Sequence, residues 1–294
     1  MKAVLFPGQG SQKIGMAKSH FDDDSSFNEI ILKADELLGY SLSEIMFEGP
    51  QDKLVQTQFT QPAIFLHSIA LYNKLDLNPN MVAGHSLGEF SALCAAGVIS
   101  FETALELVSL RGKLMQEAGS INPGTMAAII GMDDADVDKV CEEATELINK
   151  PVVSANYNCP GQLVISGDID AVAKAIELAK ERGCRMAKEL PVSGAFHSPL
   201  MKPAFDAFAE KIKDIEFKTP DFPVYSNYTA EATTNPERLK QNVLDQLMNP
   251  VRWTQTLLNM SEEGATTFVE VGPGKVLQGL VKRTLNEVEI EGYE

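Results

Sequence analysis

The sequence predicts an α/β fold: a body built on a parallel sheet, with a ferredoxin-like (βαββαβ) subdomain inserted into it. Three observations carry that expectation. Short apolar runs at 3–6, 81–83 and 266–271 are separated by helical patterns, and strands alternating with helices imply an α/β sheet. Residues 125–190 then change to the order strand, helix, strand, strand, helix, strand, a split-βαβ unit. The chain has 294 residues, 44% hydrophobic and 22% charged, ordinary globular composition and long enough for one large domain or two modest ones. The expected division is 1–123 with 194–294 for the body and 124–193 for the insert.

Taken in order, residues 3–6 read as a buried strand that enters a tight loop, Pro7-Gly8-Gln9-Gly10-Ser11-Gln12. Ile30, Ile31, Ala34, Leu37 and Leu38 fall on a 3.6-residue period and predict a helix over 26–38. Another is expected from about Pro62 to Leu75. The strand at 81–83 runs directly into Gly84-His85-Ser86-Leu87-Gly88, and helices are expected over 89–96 and 101–118. In the insert, strands are expected at 125–131, 152–156, 162–167 and 185–192, with helices at 133–148 and 168–182. The body resumes with a helix near 199–213, a strand at 224–226, helices near 236–248 and 253–263, a strand at 266–271 and a last helix after Gly272-Pro273-Gly274.

Composition excludes several classes of function. Lys and Arg total 25 against 41 Asp and Glu, a formal charge of −16. Such a chain repels polyphosphate, so nucleic acid and anionic membrane are not expected partners. No apolar run approaches the ~18–20 residues that span a bilayer, and the opening residues are too short for a signal-peptide core. Cys94, Cys141, Cys159 and Cys184 are widely spaced, which suits a reducing compartment and indicates neither a zinc site nor a disulfide frame. The sequon Asn227-Tyr228-Thr229 then carries no meaning.

The segment around Ser86 fits G-x-S-x-G. A nucleophile on a sharp strand-to-helix turn needs small neighbours, and the helix that follows aims its N–H groups at developing negative charge. The alternative is a structural serine on a glycine-flanked turn. A serine nucleophile needs a base, and the chain has four histidines: His20, His67, His85 and His197. His85 should point away from Ser86, His67 sits in an apolar helix as a satisfied core or surface residue, and His20 lies beside an acidic run. That leaves His197, in a loop leaving a strand, either as the base or as an ordinary surface residue.

Two further polar residues interrupt apolar stripes. Arg111 sits among Leu107, Val108 and Leu114, so its charge needs an anion, supplied either by a structural carboxylate or by a substrate. Gln246 lies at the end of a helix near Pro250, either as surface or to orient an imidazole through its side-chain carbonyl.

Together with Gln61-Pro62-Ala63, Arg111-Gly112-Lys113-Leu114-Met115-Gln116, Asn158-Cys159-Pro160-Gly161-Gln162, Phe196-His197-Ser198-Pro199-Leu200-Met201 and Glu270-Val271-Gly272-Pro273-Gly274-Lys275, these segments resemble the malonyl-CoA:acyl carrier protein transacylase family, from about residue 2 to 285. The resemblance implies an α/β-hydrolase-like body. It implies that Ser86 attacks the thioester of malonyl-CoA, that His197 moves the proton, and that Gln246 offers a carbonyl to His197 where hydrolases use an acid. It implies an oxyanion hole from the backbone N–H groups of Gln9 and Leu87. Arg111 would hold the malonyl carboxylate, with Phe196 and His85 also binding substrate, Phe196 by crowding an α-methyl branch. The phosphopantetheine thiol of acyl carrier protein would then take the malonyl group from the serine, supplying malonyl carrier protein for fatty acid synthesis. The CoA thioester is a substrate and no cofactor or metal is expected; the expected state is a cytoplasmic monomer.

A neutral Gln246 side chain would stabilise imidazolium less than a carboxylate does and so would disfavour attack by water. Rival readings are a serine hydrolase for esters or thioesters, an acyltransferase for a different acyl group, and a noncatalytic carrier-binding module. Because carrier proteins are acidic, docking would need a local basic surface, with Arg182, Arg185 and Lys188 or Lys275, Lys282 and Arg283 as candidates.

Overall fold

A computed structural model describes residues 1–294. It is a mixed α/β structure with two sheets. The larger is formed by β1 (Lys2–Phe6), β2 (Met81–Gly84), β7 (Val224–Tyr225), β8 (Ala232–Thr233), β9 (Thr267–Val271) and β10 (Glu289–Tyr293), in the order β10-β9-β1-β2-β7-β8. All neighbours pair in parallel except β7 and β8. The smaller sheet holds β3 (Gly124–Ile130), β4 (Val152–Cys159), β5 (Gln162–Asp168) and β6 (Met186–Glu189), antiparallel in the order β4-β5-β3-β6.

The strands of the larger sheet behave as their composition requires. Ala3, Val4, Leu5 and Phe6 are all buried, as are all four residues of β2, because helices cover both faces of a parallel sheet. The Thr57–Lys74 helix is buried along thirteen positions, so it has no polar face for periodicity to reveal. It begins at Thr57, ahead of the expected start, and carries Pro62 inside. Packing of Thr57, Thr60 and Gln61 outweighs the one helical hydrogen bond that proline removes. That early start places Gln61 in the site described below.

Other differences have local causes. The strand expected at 185–192 stops at Glu189, two residues before Pro191, which cannot donate to a ladder. Leu190 and Val192 instead line the cleft between the two sheets. The edge strand β10 is polar (Glu-Ile-Glu-Gly-Tyr) and has no apolar alternation to announce it. The short helices Lys18–Asp23, Leu42–Phe47 and Gln51–Leu54 are each too brief to show a period. All four cysteines are free thiols.

The segment before the Trp253–Glu262 helix is stitched to β4 of the smaller sheet. Val251 N–H donates to Ala155 O at 2.8 Å and Tyr157 N–H donates to Val251 O at 2.9 Å. Bulges in β4 on either side of these bonds turn Asn156 and Asn158 toward the cleft. In the larger sheet, the C-terminal ends of β1, β2, β7 and β9 all deliver loops to one edge, where ligands of open α/β sheets bind.

Close packing at that edge makes a testable demand. A methyl group on Gly88 would overlap the carbonyl oxygen of Phe6, whereas one on Gly183 meets open space. Gly88→Ala should cost about 3 kcal/mol or more in urea unfolding. Gly183→Ala, strained only by its φ of +83°, should cost about 1–2 kcal/mol.

Candidate active site

Strand β2 ends at Gly84, and the chain turns through His85 and Ser86 into the Gly88–Ala95 helix. Ser86 has φ 52°, in the left-handed region that costs an L-residue about 1–2 kcal/mol. Asn227, just past β7, holds the turn. Its Oδ1 accepts the Ser86 N–H at 2.6 Å and its Nδ2 donates to Gly84 O at 2.7 Å. The sequon asparagine is therefore fully buried and committed at both ends of its amide.

The chain brings His197 to this turn from 111 positions away. Its Nε2 lies 2.8 Å from Ser86 Oγ. Its Nδ1 lies 2.6 Å from the main-chain oxygen of Gln246. A carbonyl can only accept, so Nδ1 carries the hydrogen and Nε2 presents its lone pair to the hydroxyl. Burial, reinforced by the positive charge of Arg111, pushes the His197 imidazole down to about 3. In the folded protein it is neutral.

Here the structure corrects one expectation. Gln246 faces His197 with its main-chain carbonyl, not with its side chain. The amide serves two other groups: Oε1 accepts from Arg111 Nη2 at 2.8 Å, and Nε2 donates to Glu89 at 2.7 Å and to Ser86 O at 3.3 Å. The reason is positional. Gln246 is the residue at which the Pro236–Asp245 helix ends, so its carbonyl has no helical donor and is free for the imidazole.

Arg111 is 1% exposed, yet no carboxylate lies within 4 Å of it. The structural ion pair considered from sequence is absent. Its ligands are neutral oxygens: Gln61 Oε1 at 2.7 Å from Nη1, and Gln246 Oε1 and Ser86 Oγ (3.1 Å) on Nη2. The guanidinium carbon stands 5.6 Å above the Phe90 ring, a cation–π contact. Burial lowers its basicity to about 10, which leaves it charged.

These groups open into a cavity of about 210 Å³ in the cleft between the sheets. Gln9, Leu87, Phe196 and His85 also line it. The amides of Gln9 and Leu87 donate to no backbone or side-chain acceptor, although their neighbours Gly88 and Glu89 do. His85 turns its Nε2 to Asn158 Oδ1 at 2.8 Å and its ring edge to Trp253, away from the serine hydroxyl. His67 is a core residue, not a surface one, and contrary to expectation it is not satisfied: neither ring nitrogen has a partner, and burial pushes it down to about 3. The surface position of His20 is as its sequence context suggests, with Nε2 3.0 Å from Glu294 O.

The decisive comparison is with the family model for the acyl transferase domain, which matches residues 4–293. The chain belongs to the acyl transferase family. It is 46% identical over 284 residues to the malonyl CoA-acyl carrier protein transacylase of Bacillus subtilis (strain 168), covering 96% of this chain and 89% of that one. Against the Staphylococcus aureus (strain MW2) protein of the same name, identity is 40% over 293 residues, 99% of this chain and 95% of the other. Among solved structures, an acyl carrier protein S-malonyltransferase from Vibrio cholerae superposes with a TM-score of 0.95 at 43% identity, covering 100% of this chain and 96% of that one. A malonyl-transacylase in complex with a type II PKS acyl-carrier protein superposes with a TM-score of 0.94 at 41% identity, covering 99% and 94%.

Four residues of this acyltransferase escaped the sequence reading. Gln61 and Asn158 lay within recognised motifs but had no role assigned. Glu89 is the lone carboxylate in an otherwise apolar helix, Gly-Glu-Phe-Ser-Ala-Leu-Cys-Ala, and that isolation was the available signal. Asn227 gave no signal, since nothing local in its sequence says that it folds against the Ser86 turn, the elbow between β2 and its helix.

The charge environment of His197 predicts a titration. Its folded value lies below the ordinary 6.5, so the unfolded chain binds the proton first. Its contribution to stability is present above pH 6.5 and is lost as pH falls toward about 3. By NMR the His197 ring should remain neutral at pH 5. In Arg111→Gln its midpoint should move upward, because one positive charge has left.

Proposed function

We propose that this acyltransferase moves a malonyl group from malonyl-CoA to the phosphopantetheine thiol of acyl carrier protein, through a malonyl ester on Ser86. The observation that carries the reading is a shared atom. Ser86 Oγ meets a neutral imidazole on one side and a carboxylate-free buried guanidinium on the other, at 2.8 and 3.1 Å. A base beside a serine serves any acyl transfer. A cation beside the same hydroxyl suits an acyl group that ends in its own carboxylate.

In the first half-reaction Ser86 Oγ attacks the thioester carbonyl as its proton passes to His197 Nε2. The charge that develops on the carbonyl oxygen faces the free N–H groups of Gln9 and Leu87. Arg111 receives the malonyl carboxylate, which cancels the positive charge that depresses His197 and so makes it a better base when the right substrate is bound. The C–S bond then breaks and His197 returns the proton to sulfur. A thiol of pKa roughly 8.5 needs little acid help to leave. The second half-reaction is the reverse, with the carrier thiol attacking the ester.

His197 has a neutral main-chain carbonyl behind it instead of a carboxylate. Imidazolium is stabilised less, and water is a poorer acceptor than a thiol at such a base. Because the group is backbone, a Gln246→Glu change cannot place a carboxylate on His197; it acts on Arg111 instead. No step draws on a cofactor.

The same reading takes the body (1–123 and 194–294) as α/β-hydrolase-like and the insert (124–193) as ferredoxin-like, supported by the strand order β4-β5-β3-β6. Phe196 closes the pocket beside His197 and would crowd a branched acyl group. An acidic carrier would approach over the exposed bases of β6 and of the Val276–Thr284 helix; Arg182 is already paired with Glu143. A cytoplasmic monomer fits this role, and no helix is long and apolar enough to cross a membrane.

Incubation with malonyl-CoA should give a mass adduct on Ser86, and added carrier protein should collect the acyl group as a thioester. Acyl release to water alone would make the protein a hydrolase. Ser86→Ala should abolish the adduct. Arg111→Ala should lower malonyl transfer at least ~10²-fold while sparing or raising acetyl transfer, as expected for loss of a charge-assisted bidentate contact. Equal loss for both substrates would make Arg111 structural.

A further inference from the structure

Glu89 is fully buried and plays no part in the mechanism above. It does not line the cavity. It is nonetheless tied, through Asn227 and Gln246, to Ser86, His197 and Arg111. One carboxylate oxygen accepts the main-chain N–H of Asn227 at 3.0 Å, and Asn227 pins the Ser86 turn. The same oxygen accepts Gln246 Nε2 at 2.7 Å, and Gln246 holds Arg111 through Oε1 and His197 through its main chain.

The direction of the Gln246 amide is informative. An amide is polar end to end, with N–H₂ suited to an anion and C=O suited to a cation. Here the N–H₂ end faces Glu89 and the C=O end faces Arg111. That arrangement is the favourable one for a carboxylate and a guanidinium that are both ionised, one amide apart. Above pH 7 the site therefore holds one buried negative charge and one buried positive charge. No other charged side chain shares it: His197 is neutral, and His85 is spent on Asn158 and is pushed below its usual range by burial. The remaining neighbours of Glu89 are the neutral Asn227, Ser226 and Gln246.

A carboxylated acyl group changes this balance. Its carboxylate on Arg111 makes two buried anions for one cation, and an uncompensated buried charge is strongly unfavourable. Buried groups escape that cost by changing protonation. We propose that Glu89 is the resident counter-charge of Arg111 and takes up a proton from solvent when a carboxylated acyl group is seated on the guanidinium. The step is a simple protonation of the Glu89 carboxylate to the acid, with no other bond made or broken. Burial already holds this group at about 7, against the pull of its hydrogen bonds and of Arg111, so a second anion nearby acts on a group poised to respond.

The proposal rests on the malonyl-transfer reading, and the test separates the two. Malonyl-enzyme is formed in weakly buffered solution at pH 7 and pH 8, the adduct on Ser86 is counted by mass, and proton uptake is read with an indicator dye. The CoA thiol released, of pKa roughly 8.5, is subtracted. Uptake should approach one proton per malonyl-serine at pH 8 and fall toward pH 7, where part of the resting carboxylate already carries its proton. Acetyl-serine, which brings no carboxylate, should give none. In Glu89→Gln the malonyl uptake should disappear.

A second measurement uses the unaltered protein, in case that variant does not fold. The infrared difference spectrum of malonyl-enzyme formation should show a new carboxylic-acid C=O band that shifts when the protein's glutamate is ¹³C-labelled. No uptake in the unaltered protein, uptake that persists in Glu89→Gln, or a band insensitive to the label would overturn the proposal; persistence would assign the proton to His197. Failure to form any Ser86 adduct would overturn the transfer reading itself, and this inference with it.

Discussion

The site depends on a guanidinium kept charged and dry without a carboxylate touching it. Arg111 gives up its water for two glutamine carbonyls, a serine hydroxyl and the face of Phe90. A directly paired carboxylate would stabilise it better in the empty enzyme and leave it unavailable. Neutral ligands keep it buried while leaving its charge largely unspent. Much of the surrounding architecture serves this arrangement. The early start of the Thr57–Lys74 helix supplies Gln61, the end of the Pro236–Asp245 helix supplies Gln246, and the elbow helix supplies Phe90.

A second constraint is conformational. Ser86 and His197 both sit at positive φ, 52° and 56°, where residues with side chains pay a steric penalty. Two such residues meet at one 2.8 Å contact, and each is held by a bond that the strain alone would not provide. Asn227 grips the amide of Ser86, and the Gln246 carbonyl grips the ring of His197. The strain lifts the hydroxyl and imidazole clear of their own backbone. The hydrogen bonds then fix where they point, as preorganised catalysis requires.

How legible this was in the sequence follows from how local each signal is. The elbow was readable because its glycines, its serine and its flanking strand and helix are contiguous. The parallel strands β1, β2 and β9 were readable because burial on both faces leaves an unbroken apolar run. Arg111 was recognisable as a misplaced charge on an apolar stripe, but its partners were not, because Gln61 and Gln246 reach it from 50 and 135 positions away. Gln246 shows the limit most clearly. A sequence can nominate a residue, yet main chain and side chain of that residue face different partners, and only the fold decides which atom does what. Asn227 lies further beyond reach: its side chain matters through an amide that any residue at position 86 would possess.

The electrostatics operate on two scales that point in opposite directions. At long range the chain carries −16 and repels anions, including a CoA thioester and an acidic carrier. At physiological ionic strength that field is screened beyond roughly 8 Å, so it weakens encounter without governing what happens in the cleft. Inside, water is excluded and the interactions are few: one cation, one neutral base and two free N–H groups around a single hydroxyl. There the charge of Arg111 acts at short range on whatever group is seated beside it. A neutral acyl group leaves the guanidinium with only its neutral ligands, whereas a carboxylated one brings it a charged partner. Selectivity among acyl groups can thus coexist with an unfavourable overall charge, because discrimination is made after entry, over distances that salt does not screen.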